Sequence, residues 1–515
     1  MPVPVPDAAA LAALSEHFSF GLSEAALAEF APAVAATLAS SEAVETLYAQ
    51  TVPEVPAREW APGEHPLGAW YVTTEIRDPE VAGGPLAGRT VAIKDNVAVA
   101  GVPMMNGSVT VEGFVPRRDA TVVSHLLAAG ATIAGKAVCE NLCFSGASFT
   151  SQPGPVRNPW DPARNAGGSS SGSGVLVATG DVDLALGGDQ GGSIRIPASF
   201  CGIVGHKPTH GLVPYTGAFP IEQTLDHLGP MTRTVADAAL MLSVLAGVDG
   251  LDPRQPTEIA SVDYVAALAE PATGLRVGIV TEGFGTSVSD PAVDAAVRTA
   301  IEVLRSAGLV AEEVSVPWHL DAIHVWNVIA TEGAAYQMIE GNGHGMNWQG
   351  LYDPELIAHY AKGRKARGAE LSKTVKLVGL SGRHTFLTGG GVYYAMARNV
   401  APPMRAAYDA ALSNHDVLVM PTLPYTAREI PPVDACLADY LDTALSMLGN
   451  TAPFNVTGHP ACSVPTELVG GLPAGMMIIG RHFDDATVLR VAHTYEQALG
   501  GFPHPPVTAT IGRNA

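Results

Sequence analysis

A chain of 515 residues, 47 % apolar and only 15 % charged, is long enough for about two to four domains with large cores and holds no stretch that reads as disordered. Its 29 Lys and Arg stand against 50 Asp and Glu, a formal charge of −21 that repels phosphate backbones and anionic lipid, so neither nucleic acid nor membrane is expected as a partner. Five Cys form no C-x-x-C pair, no apolar run approaches the roughly 20 residues that span a bilayer, and Met1-Pro-Val-Pro-Val-Pro carries no basic leader, which together predict a cytoplasmic protein with free thiols.

Residues 1–84 read as an N-terminal helical domain and linker. Leu27, Phe30, Val34 and Leu38 recur at helical spacing behind Ser23, a capping residue, and Pro53, Pro56, Pro62 and Pro66 then mark a surface linker. The apolar stripe needs a cover, and a second copy of the chain supplies one, so a homodimer is expected. From about Pro85 strands and helices alternate. Strands are expected at Thr90 to Lys94, Ala131 to Ala134, Val182 to Leu186, Leu275 to Val280, Asp416 to Met420 and Gly475 to Ile479. Asp119 is expected to cap a helix that Gly130 ends, and Asp290-Pro291 to open one that stops near Gly308. The alternation predicts an α/β fold with a mixed, mostly parallel central sheet covered by helices on both faces. It divides into core segments 85–330 and 402–515 around a small inserted subdomain at 331–401, where Gly341-Asn-Gly-His-Gly and Gly389-Gly-Gly interrupt a pattern without strands.

The chemistry-bearing residues fall at strand ends and glycine loops. Lys94 closes Val91-Ala92-Ile93-Lys94, a string also found in protein kinases, but no G-x-G-x-x-G, H-R-D or D-F-G accompanies it. A lysine at the end of a buried strand loses charge by desolvation and becomes a candidate base, with Asp95 pointing to the other side. The run Gly167-Gly-Ser-Ser-Ser-Gly-Ser-Gly174 contains a G-x-S-x-G match centred on Ser170, yet prolines rather than a strand precede it, so the nucleophile-elbow reading is set aside. Ser193 ends Gly187-Gly-Asp-Gln-Gly-Gly-Ser193, seven residues past an apolar strand, where glycines free successive amides to face one oxyanion. A lone Gly-Gly-Ser, or a lone strand-end lysine, is more often structural.

Lys94, the Ser169 loop and the Ser193 loop, in this order and spacing, resemble the amidase signature family. The likeness runs from about Pro85 to the C-terminus and includes Cys201-Gly-Ile-Val-Gly-His-Lys-Pro-Thr209 and Asn455-Val-Thr-Gly-His-Pro-Ala461. It implies an amide hydrolase with Ser193 as nucleophile, Ser169 as a relay serine after a cis peptide, Lys94 as base, and an acyl-enzyme. The amides of Gln190, Gly191, Gly192 and Ser193 would form the oxyanion hole. Gly188-Asp-Gln-Gly-Gly-Ser193 and Asp226-His-Leu-Gly-Pro230 further resemble the actinobacterial amidases linked to nitrile hydratases, which act on small aliphatic and aromatic amides and share an N-terminal helical domain. Phe144 and Trp326 are the candidates for the acyl pocket, with core packing as the alternative for each.

Other residues are expected to be structural. Cys143 and Cys201 read as packed thiols, and Arg195 as a loop anchor paired with a carboxylate. The 16 His include no H-x-x-x-H pair near an acidic ligand, so neither metal nor cofactor is expected. The alternatives are a carbamate, hydrazide or anilide hydrolase with the same triad, and the glutamine-hydrolysing component of a tRNA-dependent amidotransferase. The extension and acidity argue against the last, and an inactive scaffold does not fit an intact triad.

Overall fold

In the computed structural model, which describes residues 3–343 and 350–506, the chain divides into two compact units, Met1–Pro56 and Ala57–Ala515. The smaller unit is a helix pair, α1 (Ala8–His17) and α2 (Glu24–Ala49). Asp7 and Ser23 start them by accepting the free amides of Ala10 at 2.8 Å and Ala26 at 3.2 Å. Of the predicted stripe, Leu27 is buried and Val34 and Leu38 half-buried. Phe30 remains 53 % exposed, which leaves the stripe only partly covered.

The larger unit holds the helices α3 (Thr121–Ala128), α4 (Ser171–Thr179), α5 (Arg195–Cys201), α6 (Val235–Leu245), α7 (Tyr264–Ala267), α8 (Pro291–Ser306), α9 (Trp318–Ala334), α10 (Pro354–Arg367), α11 (Lys373–Gly389), α12 (Val392–Asn414), α13 (Leu437–Leu445), α14 (Pro453–Thr457) and α15 (Asp485–Leu499). Its strands are β1 (Trp60–Pro62), β2 (Trp70–Ile76), β3 (Thr90–Lys94), β4 (Thr132–Ala137), β5 (Leu184–Asp189), β6 (Val204–Lys207), β7 (His227–Thr232), β8 (Arg276–Val280), β9 (Val310–Val314), β10 (Val417–Pro421), β11 (Ala461–Pro465) and β12 (Gly475–Ile479). All lie in one sheet, in the order β1-β2-β4-β3-β5-β7-β6-β11-β12-β10-β8-β9.

Alternate residues of the central strands enter different cores, as a period of two requires. Val91 and Ile93 of β3, Leu184 and Leu186 of β5, and Val417 and Val419 of β10 pack with α3, α6, α8 and α15. Their neighbours Ala92 and Ala185 pack with α4, and Leu418 and Met420 with α9 and α12. Helix α5 joins the latter two cores, giving Ile196 and Phe200 to one and Ala198 and Cys201 to the other. The sheet is mixed and covered on both faces, as the sequence predicts.

Strand direction corrects part of that expectation. Among the described residues four pairings are parallel and seven antiparallel. Strands buried at every position, such as β5, β7 and β10 to β12, report that both faces are covered, and parallel sheets are one way to meet that condition. The direction itself is set by the connections, and a short link after Pro465 folds β11 back as β12.

Two local expectations also change. Asp119 does not cap α3, whose N-cap is Ala120; its carboxylate instead binds Arg58 at 2.6 and 2.8 Å and the Ala100 amide at 2.8 Å. The strand expected at Val182 to Leu186 runs to Asp189, because Gly187 and Gly188 pair with Gly229 and Leu228 of β7. Ser193 is therefore the fourth residue after a strand. Between 331 and 401 the described residues form helices joined by short turns, with no strand, and α9 and α12 continue across the two limits. His344 and Gly345 of the Gly341-Asn-Gly-His-Gly loop lie outside the described residues.

Candidate active site

Strand β3 places Lys94. It shares the face of Ala92, toward α4 and α5, and is fully buried. Its Nζ donates to Ser169 Oγ at 2.7 Å and to Gly188 O at 3.1 Å, and among the described residues it forms no ion pair. Asp95 takes the opposite side, as expected. There it pairs with the buried Lys136 Nζ at 2.9 Å and accepts the amides of Met105 and Asn106 at 3.0 and 2.7 Å.

Ser169 enters on the loop that opens α4. The Gly168–Ser169 peptide is cis, and the loop is tied down by Gly168 N to Gly146 O at 2.8 Å and Glu140 N to Ser169 O at 3.1 Å. The buried Glu140 carboxyl, which accepts Thr150 N at 3.0 Å and Thr150 Oγ1 at 2.8 Å, is pushed up to about 7 by burial against those hydrogen bonds. Ser170 is structural: its Oγ donates to Gly188 O and accepts Gly188 N, each at 3.1 Å. That bracing removes the G-x-S-x-G reading.

Ser193 stands at the mouth of α5, beside the same strand end. Ser170 N donates to Ser193 O at 3.3 Å, so the two serine loops touch. Ser193 Oγ makes no hydrogen bond to Ser169 among the described residues, and such contacts commonly tighten only with substrate in place. The Gln190–Ser193 loop is held from behind. Trp326 Nε1 donates to Gln190 O at 2.7 Å, and Thr451 Oγ1 to Gly191 O at 2.6 Å. Gly192 has φ +139 and no room for a Cβ against Thr451.

Asp189 anchors the loop's charge. It accepts Gly192 N at 2.8 Å, Ile194 N at 3.1 Å, Arg195 Nε and Nη2 at 3.0 and 2.9 Å, and Asn455 Nδ2 at 2.9 Å. Burial alone would raise its pKa; the Arg195 charge and the hydrogen bonds from Arg195 and Asn455 hold it at about 2. Arg195 is thus the loop anchor expected. One expectation is corrected here, because the Gly192 amide is spent on Asp189 and cannot also serve an oxyanion. The amides of Gln190, Gly191 and Ser193 donate to no acceptor among the described residues.

The cavity facing Ser193 is walled by Cys143, Phe144, Ile221, Trp326, Leu445 and Leu448, together with Gln190 and Gly191. Both predicted pocket aromatics are present, with ring centroids 6.4 Å apart. Gln190 Nε2 donates to Tyr215 OH at 3.1 Å, while its buried Oε1 has no partner. Cys143 is buried, as expected, and also lines this cavity. Its Sγ donates to Asn106 Oδ1 at 3.3 Å, and both Leu142 and Cys143 are left-handed, at φ 47 and 58. Burial pushes the thiol up, but with Lys94 in its protonated form that charge, hydrogen bonding with Cys139 and contact with Ser169 together outweigh burial and lower it, while Cys139 rises. Cys201 is packed, its thiol raised by burial and bonded to Ala166 O at 3.2 Å. Residue order in the sequence conveys none of this for Cys143, Ile221, Leu445 or Leu448, which reach the pocket from separate segments.

Among the described residues, one group elsewhere has metal-ligand chemistry. Asp409, His459 and His482 bring ligand atoms within 4.8 Å of one another. Hydrogen bonds already account for them, His459 Nε2 to Asp409 at 3.0 Å and His482 Nε2 to Thr457 O at 2.9 Å, and the Arg405 charge acts on all three.

The family model described as Amidase matches residues 71–489. An "Enantioselective amidase" of Rhodococcus rhodochrous is 65 % identical over 512 residues, 98 % of each chain. Among solved structures, a glutamyl-tRNA(Gln) amidotransferase subunit of Thermotoga maritima superposes with a TM-score of 0.69 at 31 % identity, covering 84 % of this chain and 90 % of that one. The native peptide amidase of Stenotrophomonas maltophilia gives 0.67 at 28 % identity, covering 82 % and 85 %. A buried lysine bonded to a serine on a cis peptide, beside a second serine on a glycine loop, thus sits within a match spanning most of the sheet, and the chain belongs to the amidase family.

Proposed function

We propose that the chain hydrolyses carboxylic acid amides to the acid and ammonia or an amine, with Ser193 as nucleophile, Ser169 as relay and Lys94 as base. The observation that carries this is the 2.7 Å hydrogen bond from Lys94 to Ser169 in a buried site. In its uncharged form Lys94 takes a proton from Ser169, which takes one from Ser193 as Ser193 Oγ attacks the carbonyl. The free amides of Gln190, Gly191 and Ser193 face the developing oxyanion, a contribution of about 3 to 4 kcal/mol per donor where one has been removed from a protease. The relay then protonates the leaving amine, and water cleaves the acyl-enzyme by the reverse route. No metal or cofactor enters these steps.

The pocket favours an apolar acyl group. Its described lining contains no Lys, Arg, Asp or Glu, so nothing in it matches the ammonium and carboxylate of free glutamine, and the amidotransferase reading ranks second. Phe144 and Trp326 would grip an aliphatic or aromatic acid moiety. Because a 65 % identical relative is described as enantioselective, we extend that property to this chain. A homodimer and a cytoplasmic location belong to the same proposal; no helix among the described residues is long and apolar enough to cross a membrane.

Ser193→Ala is expected to abolish hydrolysis of benzamide and of both 2-phenylpropionamide enantiomers while keeping the wild-type circular dichroism. Mass spectrometry after phenylmethylsulfonyl fluoride should place the adduct on Ser193. Activity in Ser193→Ala, or an adduct confined to Ser170, would overturn the assignment.

A further inference from the structure

Two successive peptide planes carry the N–H groups of Gln190 and Gly191, and each plane is held by its carbonyl. Asn455 Nδ2 donates to Asp189 O at 2.9 Å, and Trp326 Nε1 to Gln190 O at 2.7 Å. Because a peptide unit is planar, fixing its oxygen fixes the line of the N–H on its far side. What these two contacts leave free is the hinge between the planes, the Gln190 Cα. Its side chain supplies the missing tie: Gln190 Nε2 donates to Tyr215 OH at 3.1 Å, the one hydrogen bond that side chain makes among the described residues.

Tyr215 has no part in the steps above, yet its hydroxyl is used to capacity. A phenol donates once and accepts twice. This one donates to Phe219 O at 3.2 Å and accepts Asn96 Nδ2 at 3.4 Å besides Gln190. Asn96 lies two residues beyond Lys94, the end of β3, so a single oxygen joins the Ser193 loop to the segment that follows the lysine. That oxygen is itself well seated. Phe219 N donates to Asn96 O at 2.8 Å and Ala98 N to Gly217 O at 2.9 Å, which lays residues 215–219 along the continuation of β3. Tyr215 N donates to Asp252 Oδ2 at 2.8 Å, and the Arg254 guanidinium, bound to Asp252 through Nε at 2.8 Å, stands 4.8 Å from the centre of the buried Tyr215 ring.

We propose that Tyr215 is a positioning residue for amide hydrolysis: its hydroxyl pins the hinge between the two peptide planes whose N–H groups face the oxyanion. This rests on the amidase reading. Donors aimed before the reaction starts stabilise the transition state and not the bound substrate, so the effect of Tyr215 belongs in kcat.

Tyr215→Phe keeps the ring and removes the oxygen. Its kcat on benzamide is expected to fall about tenfold or more with KM within about twofold of wild type. Gln190→Met, similar in length but without Nε2, should lose a like amount, and Tyr215→Phe should add nothing further in that background. Hydrogen–deuterium exchange read by mass spectrometry should quicken in the peptide spanning 187–193 of Tyr215→Phe and stay unchanged in one spanning β12. A wild-type kcat in Tyr215→Phe, a loss carried by KM, equal losses with and without Gln190→Met, or unchanged exchange at 187–193 would each overturn the proposal. If Tyr215→Phe does not fold, Gln190→Met decides alone, and a wild-type kcat in it overturns the proposal. Exchange keeps the two readings apart: a rise in Tyr215→Phe supports the anchor even where the wild type leaves benzamide intact, a result that would overturn the amidase reading instead.

Discussion

Asp189 is the residue on which the Ser193 loop turns, since the amides before and after Ser193 and the Arg195 guanidinium all converge on its carboxylate. Its pKa, held at about 2 against an ordinary 3.8, makes a stability statement. A depressed carboxylate stabilises the fold fully above its unfolded pKa, and that contribution is lost as pH falls through the folded value. Here it is about 2 kcal/mol, lost between roughly pH 4 and 2. Asp189→Asn should therefore be less stable than the wild type at pH 7, with the difference shrinking toward pH 2, read from urea unfolding at each pH. Cys143 yields a second expectation. It lines the cavity facing Ser193, whereas Cys139, Cys201 and Cys462 are sealed from solvent. Iodoacetamide should alkylate Cys143 before those three and stop hydrolysis, while Cys143→Ser keeps its activity through the same treatment. Peptide mapping that finds Cys143 unmodified in inactivated enzyme refutes this.

At the scale of elements, the Ser193 loop is a short arc between β5 and α5 whose backbone is pinned by α9 and by Thr451. Gly191 is where this is tightest, because an added Cβ would lie 2.7 Å from the Trp326 ring, and that ring is held by its own hydrogen bond to Gln190 O. Gly191→Ala should shift the loop and cut kcat/KM by about 100-fold, the usual cost of misplacing a reacting group by about 1 Å. Its melting temperature should move little, and steady-state kinetics beside a thermal melt separate the two effects. The same elements explain where sequence reading held and where it slipped. Thr90 to Lys94 and Gly475 to Ile479 were legible to the residue, as compact apolar runs with clear ends. The end of β5 was not, because glycines that read as loop are strand residues wherever a neighbour pairs with them. Asp119 looked like a cap but found a better partner in Arg58, 61 residues away.

For the whole molecule, the open question is what covers the N-terminal helices. Leu14, Phe18, Phe20, Phe30, Val44 and Leu47 are all exposed, more apolar surface than a small helix pair leaves bare without a partner. The proposed homodimer supplies one. Light scattering should give a dimer for the full chain and a monomer for a chain starting at Ala57, which retains all twelve described strands. A dimeric truncated chain removes these helices from the interface.

The sequence by itself determined the family and the α/β class, through the order and spacing of Lys94, the Ser169 loop and the Ser193 loop, and it pointed to the anchoring role of Arg195, a charge too near the loop to be idle; the catalytic roles of the three residues are what the resemblance implies. Only the tertiary structure decided which amides stay free for an oxyanion, which way the strands run, and that Cys143, Ile221, Leu445 and Leu448 share one wall with Phe144 and Trp326. Those outcomes depend on contacts between segments as much as 266 residues apart, such as Asn455 with Asp189. Hydrogen-bond competition and burial act across that distance in space, where the order of residues along the chain carries no record of it.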